Sequence, residues 1–375
     1  MTQASLGALI GELMMGKRLG KRALAWGALF GVMPDLVFLL SPLLDTAREI
    51  YWRQGPTHSL AVMAAGSWGI ARGLAKLWRR DKIGVAPAGA FVFAVWWVHV
   101  LVDCFSTEGV AVLWPLTSTR VAFRFLAAGD FLFTVPLVLT ALWLAFSQER
   151  KAQTSRSRKA APPRSARRLW TWRILGTAAA YSLLALGMKF IASAGFDADL
   201  ARRGTTFTRR IESPAPYNIL LWRAVVDRES EFWVGYRSVF ESRGTPVRWT
   251  VYLKNAAALG KVAGLRETKT LAVVSDGWWI ARPHAKGAWL GDLRFPEDRV
   301  WGSKKGMVDS RLAASWVIEA DRKSERLREN SVAGFSGDFL KRIASRTIGR
   351  RESWEANPRL AGVQGSLPEF LPVEE

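Results

Sequence analysis

The chain has 375 residues, 53 Lys and Arg against 32 Asp and Glu, a net charge of +21 and a single cysteine, Cys104. One cysteine excludes an intramolecular disulfide, so any exported portion must be held by packing alone. The mean hydropathy is near zero, but this averages a very apolar first half with a polar second half.

Residues 3–15 carry Glu12 and are too short to cross a bilayer as a helix, so they read as an amphipathic or partly re-entrant helix. Ala4, Gly7, Ala8 and Gly11 fall close to one face. That suits close helix packing, the alternative being a direct catalytic role. The basic cluster Lys17, Arg18, Lys21 and Arg22 follows this stretch rather than preceding it. The expectation is therefore that no signal peptide is cleaved and that Met1 is retained.

Five apolar stretches follow, at 23–44, 59–77, 85–104, 130–147 and 173–194. Each approaches the roughly 20 residues that a helix needs to cross the hydrocarbon core. The second carries Arg72 and Lys76 at its far end, where long basic side chains snorkel to the interface. The fold class expected is an α-helical integral membrane bundle of about five transmembrane helices, followed by a small, mostly antiparallel β (α+β) extracytoplasmic domain. Residues 1–148 form the membrane-embedded domain, 149–172 a cytoplasmic linker, 173–195 the fifth transmembrane helix and 196–375 the outer domain.

Cytoplasmic loops retain Lys and Arg. The basic clusters at 17–22, 76–82 and 150–173 therefore belong inside, and the poorer loops at 45–58 and 105–129 outside. The N-terminus is then cytoplasmic and everything after the fifth span extracytoplasmic. In a soluble protein a charge of +21 would point to nucleic acid. Here the topology accounts for much of it, and nucleic acid is not expected as a partner. The run from Arg150 to Arg168 is rich in Ser and Pro and reads as a disordered linker attracted to lipid headgroups. Membrane lipid is the one partner the sequence implies.

Beyond residue 195 the period changes to that of strands. Residues 218–226 and 231–240 are rich in β-branched and aromatic residues around the polar turn Asp227-Arg228-Glu229-Ser230, a hairpin pattern. Further strands are expected at 247–253, 270–275, 278–282 and 313–319, with a helical tail after Ser336. His284, in Arg282-Pro283-His284-Ala285-Lys286, reads as an exposed loop histidine.

The other two histidines lie in the membrane half. His99 and Asp103 are spaced i, i+4, which places an imidazole and a carboxylate on one helix face. Ionisable groups inside a bilayer are costly and need a reason. With the topology above, Asp35 after Pro34, His58 before the second apolar stretch, His99, Asp103 and Asp130 all lie toward the outer face. Two imidazoles with carboxylates suit zinc or another divalent ion with a position left for water. The equally weighted alternative is an interhelical polar network that locks the bundle.

These motifs resemble the LexA-regulated, membrane-bound family of predicted metal-dependent hydrolases, a bacterial inner-membrane family. The resemblance runs through Thr2-Gln3-Ala4-Ser5-Leu6-Gly7-Ala8-Leu9-Ile10-Gly11-Glu12, Pro34-Asp35-Leu36, Gly55-Pro56-Thr57-His58-Ser59 and His99 to Asp103 with Thr107, Gly109 and Trp114-Pro115. It continues through Asp130-Phe131-Leu132-Phe133-Thr134-Val135-Pro136, Pro214-Ala215-Pro216-Tyr217-Asn218, Leu221-Trp222-Arg223 and Asp292-Leu293-Arg294-Phe295. It implies a hydrolase using a divalent metal, zinc or manganese, held by Asp35, His58, His99 and Asp103, with Asp130 or Glu12 as general base or as support to the ligands. A site at the outer interface suits a lipid-linked or phosphoester substrate. Two positions depart from the family: Val37 replaces a carboxylate, and Arg53 replaces a histidine. A guanidinium cannot ligate a metal, so at most one ion is expected. A catalytically degenerate scaffold, in which the polar residues only pack helices and the outer domain binds a partner, is the second reading. A transporter is the third, disfavoured because no inverted repeat is visible.

Overall fold

The computed structural model describes residues 1–44, 46–52, 55–127, 129–147, 164–298, 309–312, 314–319, 324–326, 337–350 and 359–360. The chain divides into two compact units. One comprises Met1–Leu39, Trp52–Phe123 and Gly129–Leu184; the other comprises Leu40–Tyr51, Arg124–Ala128 and Ala185–Glu375.

The first unit is helical. Helix α1 (Thr2–Leu19) packs on α2 (Arg22–Val32), and the chain continues as a 3-10 segment, Met33–Leu43. Pro34 explains the change: it has no N–H and cannot continue the α-helical ladder. After a 3-10 turn at Pro56–His58 come α4 (Leu60–Leu77), α5 (Val85–Cys104), α6 (Phe131–Phe146) and the first half of α7 (Arg164–Arg202), whereas α3 (Thr46–Trp52) and the rest of α7 from Ala185 fall almost wholly in the second unit. The core of this unit is built from Met15, Leu19 and Phe30, from Met63, Leu74 and Trp78, and from Phe91, Val92, Val95 and Val100.

The expected five spanning helices are not what the structure contains. Among the described residues, two helices are long and apolar enough to cross a membrane, Val85–Phe105 and Ala166–Arg202, and Phe131–Phe146 is a shorter apolar helix. The stretch at 23–44 is divided between α2 and the 3-10 segment. The stretch at 59–77 keeps Arg72, stacked over Trp68 at 3.4 Å, and Lys76, which dilute its apolar length. A second correction concerns the linker. Residues 148–163 lie outside the described residues, but Arg164–Trp172 are the first turns of α7, a helix of 39 residues.

The packing of α1 on α2 runs through glycines on both sides. A methyl group on Gly7 would overlap the carbonyl oxygen of Gly27, one on Gly11 that of Ala23, and one on Gly31 that of Gln3. The small-residue face of α1 is therefore a packing seam. Further along α1, Glu12 forms a buried, two-pronged ion pair with Arg167 of α7, at 2.8 and 3.0 Å. Arg167 also donates to the Leu144 carbonyl (2.9 Å) and to Ser147 Oγ (2.8 Å) at the end of α6. One guanidinium thus joins three helices.

The second unit holds the strands. β1 (Arg209–Pro214), β2 (Leu221–Asp227), β3 (Glu231–Ser238) and β4 (Trp249–Leu253) form an antiparallel meander in that order. The expected hairpin is β2 and β3, with Asp227 opposite Phe232. β2 starts after Asn218 because that side chain accepts from the N–H groups of Leu220 and Leu221, closing a turn. A second antiparallel sheet contains β5 (Trp279–His284), β6 (Gly287–Asp292), β9 (Ser315–Glu319) and β10 (Ser324–Arg326), in the order β10-β9-β6-β5. Three short strands, β7 (Glu297–Asp298), β8 (Asp309–Leu312) and β11 (Arg359–Leu360), form the third sheet, where β11 pairs parallel with β8.

The strand expected at 270–275 is instead part of α8 (Arg266–Val274). Its Val and Thr residues suit either structure, but Glu267, Thr268 and Leu271 are buried at helical spacing, and Thr268 Oγ1 donates to the Val262 carbonyl at 2.6 Å. Tertiary burial outweighs the weak intrinsic preference for a strand. The helical tail is α9 (Gly337–Thr347). His284 ends β5 and accepts from the N–H of Lys286 at 3.3 Å. Two motifs of this unit meet directly: Arg223 Nη1 donates to the Leu293 carbonyl at 2.6 Å, while Arg294 and Asp292 form a buried ion pair at 2.6 Å.

Overpacking the glycine seam should cost about 1–3 kcal/mol, so Gly27→Val is expected to lower the unfolding midpoint in detergent. Gly69→Ala on α4, where the added methyl meets no described residue beyond its own helix turn within 4 Å, should leave it unchanged or raise it slightly. Arg167→Met is expected to destabilise by about 3–5 kcal/mol, because it strands a buried carboxylate. Adding Glu12→Gln should restore part of that loss, measured as a double-mutant cycle on the same midpoint.

Candidate metal centre

The site begins with α5, whose apolar sequence carries one imidazole and one carboxylate near its C-terminal end. His99 and Asp103 stand one turn apart, with His99 Nε2 3.1 Å from Asp103 Oδ2. His58 arrives from the 3-10 turn ahead of α4. That turn is fixed by Ser59, which caps α4 by accepting from the Val62 N–H at 3.2 Å and donates its own hydroxyl to the Pro56 carbonyl at 2.8 Å. Asp35 comes from the first turn of the 3-10 segment, one residue after Pro34.

These four side chains converge. His58 Nε2 lies 3.1 Å from His99 Nε2, 3.3 Å from Asp103 Oδ2 and 3.4 Å from Asp35 Oδ1, and His99 Nε2 lies 3.7 Å from Asp35 Oδ1. One ligand atom from each falls within 4.8 Å of all the others. Both histidine side chains are 1% exposed, Asp103 18% and Asp35 46%, so the cluster opens on the Asp35 side.

The tautomers suit a cation. His99 Nδ1 is 2.7 Å from the Gly31 carbonyl oxygen. A carbonyl only accepts, so Nδ1 carries the proton and Nε2 turns its lone pair toward the cluster. His58 Nδ1 lies 3.0 Å from Thr57 Oγ1, which leaves its Nε2 facing the same point. Two imidazole nitrogens at 3.1 Å need a proton or a cation between them. Burial opposes a charge on His58, but hydrogen bonds and the charges of Asp103 and Asp35 outweigh it and hold its pKa above the ordinary imidazole value. With bonds of about 2.0–2.2 Å, the ligand atoms of a tetrahedral ion lie about 3.3–3.6 Å apart. Five of the six separations, 3.1 to 3.7 Å, lie around that spacing, and the sixth, between the two carboxylates, is at most 4.8 Å. The donor set therefore fits a divalent ion.

Asp130 and Glu12 stand elsewhere. Asp130 caps α6 by accepting from the Phe133 N–H at 3.1 Å, and its other oxygen accepts from Tyr181 Oη at 2.7 Å. Glu12 is engaged by Arg167. Neither belongs to the convergent group of Asp35, His58, His99 and Asp103. Val37 follows Asp35 on the 3-10 segment and is half-buried; Arg53 lies outside the described residues. The sequence reading missed Gly31 and assigned no role to Gln3, whose Nε2 donates to Asp103 Oδ1 at 2.6 Å and to the His99 carbonyl at 3.3 Å. The only signal was Gln3's position in the opening motif.

Residues 1–194, which include all four convergent side chains, match the family model described as YdjM inner membrane protein. No curated protein and no solved structure matches the chain.

Proposed function

The chain belongs to the YdjM inner membrane protein family, and we propose that in the bacterial inner membrane it acts as a metal-dependent hydrolase. Asp35, His58, His99 and Asp103 hold one divalent ion, zinc or manganese. The observation that carries this reading is the convergence of two imidazoles, one of them with its tautomer fixed by the Gly31 carbonyl, and two carboxylates on one point. When bound, such an ion acidifies a water and polarises a carbonyl or phosphoryl oxygen. The chain's own part is to keep both Nε2 lone pairs aimed inward, to bury the histidines, and to leave access beside the half-exposed Asp35. A phosphoester or lipid-linked substrate is the class we assign, because the cluster lies at the end of α5 where the helix leaves its apolar stretch.

We propose the orientation set by the basic loops at 76–82 and 150–173: extracytoplasmic sheet domain, with α5 running outward, α6 inward and α7 outward, which sets Thr2 and Gln3 beside the outer ends of α5 and α6 rather than at the cytoplasmic face that the sequence suggests. Contacts within the helical unit support it. Arg22 and Asp81, from two loops assigned to the inside, pair at 2.7 Å. The start of α7 meets the end of α6 through Arg167 and Ser147, and Thr2, Gln3 and Asp103 gather with Thr134 at the opposite end. Helix α6, with 16 residues, is about 24 Å long, and local thinning of the bilayer accommodates it.

A degenerate scaffold is the second reading, favoured by apolar Val37 where the resembling family carries a carboxylate. Elemental analysis of detergent-purified protein separates the two. The expected result is near-stoichiometric zinc or manganese in the wild type and none in a monodisperse His99→Ala, Asp103→Ala double variant. Metal absent from both folded proteins would overturn the hydrolase reading in favour of the scaffold.

A further inference from the structure

The carboxylate of Asp103 has two oxygens with different neighbours. Oδ2 faces His58 and His99, at 3.3 and 3.1 Å. Oδ1 accepts from Gln3 Nε2 at 2.6 Å, and the same nitrogen reaches the His99 carbonyl at 3.3 Å. The orientation of the Gln3 amide is decided by these partners: both only accept, so a reversed amide would set oxygen against oxygen at 2.6 Å. Among the described residues, the arrangement leaves Gln3 Oε1 buried without a hydrogen-bond partner. A buried acceptor left unpaired has a cost, so the pull on Nε2 must offset it.

Gln3 reaches this position because α1 approaches α2 without side chains between them. A methyl group on Gly31 would strike the Gln3 backbone carbonyl. The Gly31 carbonyl, in turn, accepts from His99 Nδ1. One glycine therefore admits the residue that holds Asp103 and supplies the acceptor that holds His99.

We infer that Gln3 is a positioning residue for the metal site: by holding Asp103 Oδ1 it presents a single oxygen, Oδ2, to the ion, so that a side chain of the N-terminal helix sets metal affinity and coordination. This rests on the metal-site reading above. Groups that orient a ligand typically change metal affinity by about 10- to 100-fold when removed. A freed carboxylate can also turn both oxygens to the ion and raise its coordination number.

The test is zinc titration, by competition with a chromophoric chelator, of the full-length detergent-purified wild type and three variants, with cobalt(II) spectra of each. Gln3→Met keeps the length and loses the donor. Gln3→Glu keeps the shape and sets an acceptor against an acceptor. Thr2→Val removes the neighbouring 2.8 Å hydrogen bond to Thr134 and controls for the docking of α1. The expected result is about 10- to 100-fold weaker zinc binding in both Gln3 variants, a weaker visible cobalt band in Gln3→Met, and wild-type behaviour in Thr2→Val. Wild-type affinity and spectrum in the Gln3 variants, with binding abolished in His99→Ala, Asp103→Ala, would overturn the role of Gln3 and leave the metal site standing. An equal loss in Thr2→Val would also overturn it, since helix docking would then account for the effect. No zinc bound by the wild type would remove both readings together.

Discussion

One backbone carbonyl at the end of α2, that of Gly31, sets the geometry of the metal centre. Pro34 has no N–H to offer Gly31 in the three-residue spacing of the 3-10 segment that begins at Met33. The Gly31 oxygen takes the Nδ1 proton of His99, 68 residues away. That bond turns Nε2 toward His58 and the two aspartates, and the absence of a side chain on Gly31 lets α1 close over it. A backbone constraint, a tautomer and a helix seam meet at one residue.

Buried charge is handled in the same manner elsewhere: it is admitted where a partner of fixed geometry waits. Arg167 is buried against Glu12 and the end of α6. In the sheet unit, Arg294 is buried against Asp292, Arg346 bridges Glu241 and the Tyr236 carbonyl at 2.9 Å each, and Asp199 accepts from Trp249 Nε1 and the Val247 N–H. Single ions of this kind are costly to desolvate, and removing one partner costs more than removing both. The net charge of +21 is therefore not all available at the surface for membrane lipid. Some of it is structural, and Arg167, read from sequence as part of a solvated linker, is the plainest case.

The two units answer differently to sequence reading. In the sheet unit, the hairpin of β2 and β3 and the strands β4, β5 and β9 follow from period and turn residues, because neighbouring strands there are mostly close in sequence. β1, β6 and the short strands β7, β8, β10 and β11 lie outside the expected set, and α8 takes the place of an expected strand because burial of Glu267, Thr268 and Leu271 decides between two periods that the local residues leave open. In the helical unit, apolar length alone suggested about five spans. Two long apolar helices are present among the described residues, because Pro34 breaks one stretch and Arg72 and Lys76 interrupt another.

By itself the sequence determined the split into an apolar helical half and a polar strand-rich half, the i, i+4 pairing of His99 with Asp103, and the set of polar residues available to a metal. These follow from local periodicity and from the cost of ionisable groups in apolar surroundings, which a single segment already expresses. Only the tertiary structure decided that Asp35 and His58 join that pair while Glu12 and Asp130 do not, that Gly31 orients His99, and that Gln3 holds Asp103. Those are contacts between elements far apart in the chain. Their partners are chosen by how closely α1, α2 and α5 approach, and that distance is set by side chains that are missing.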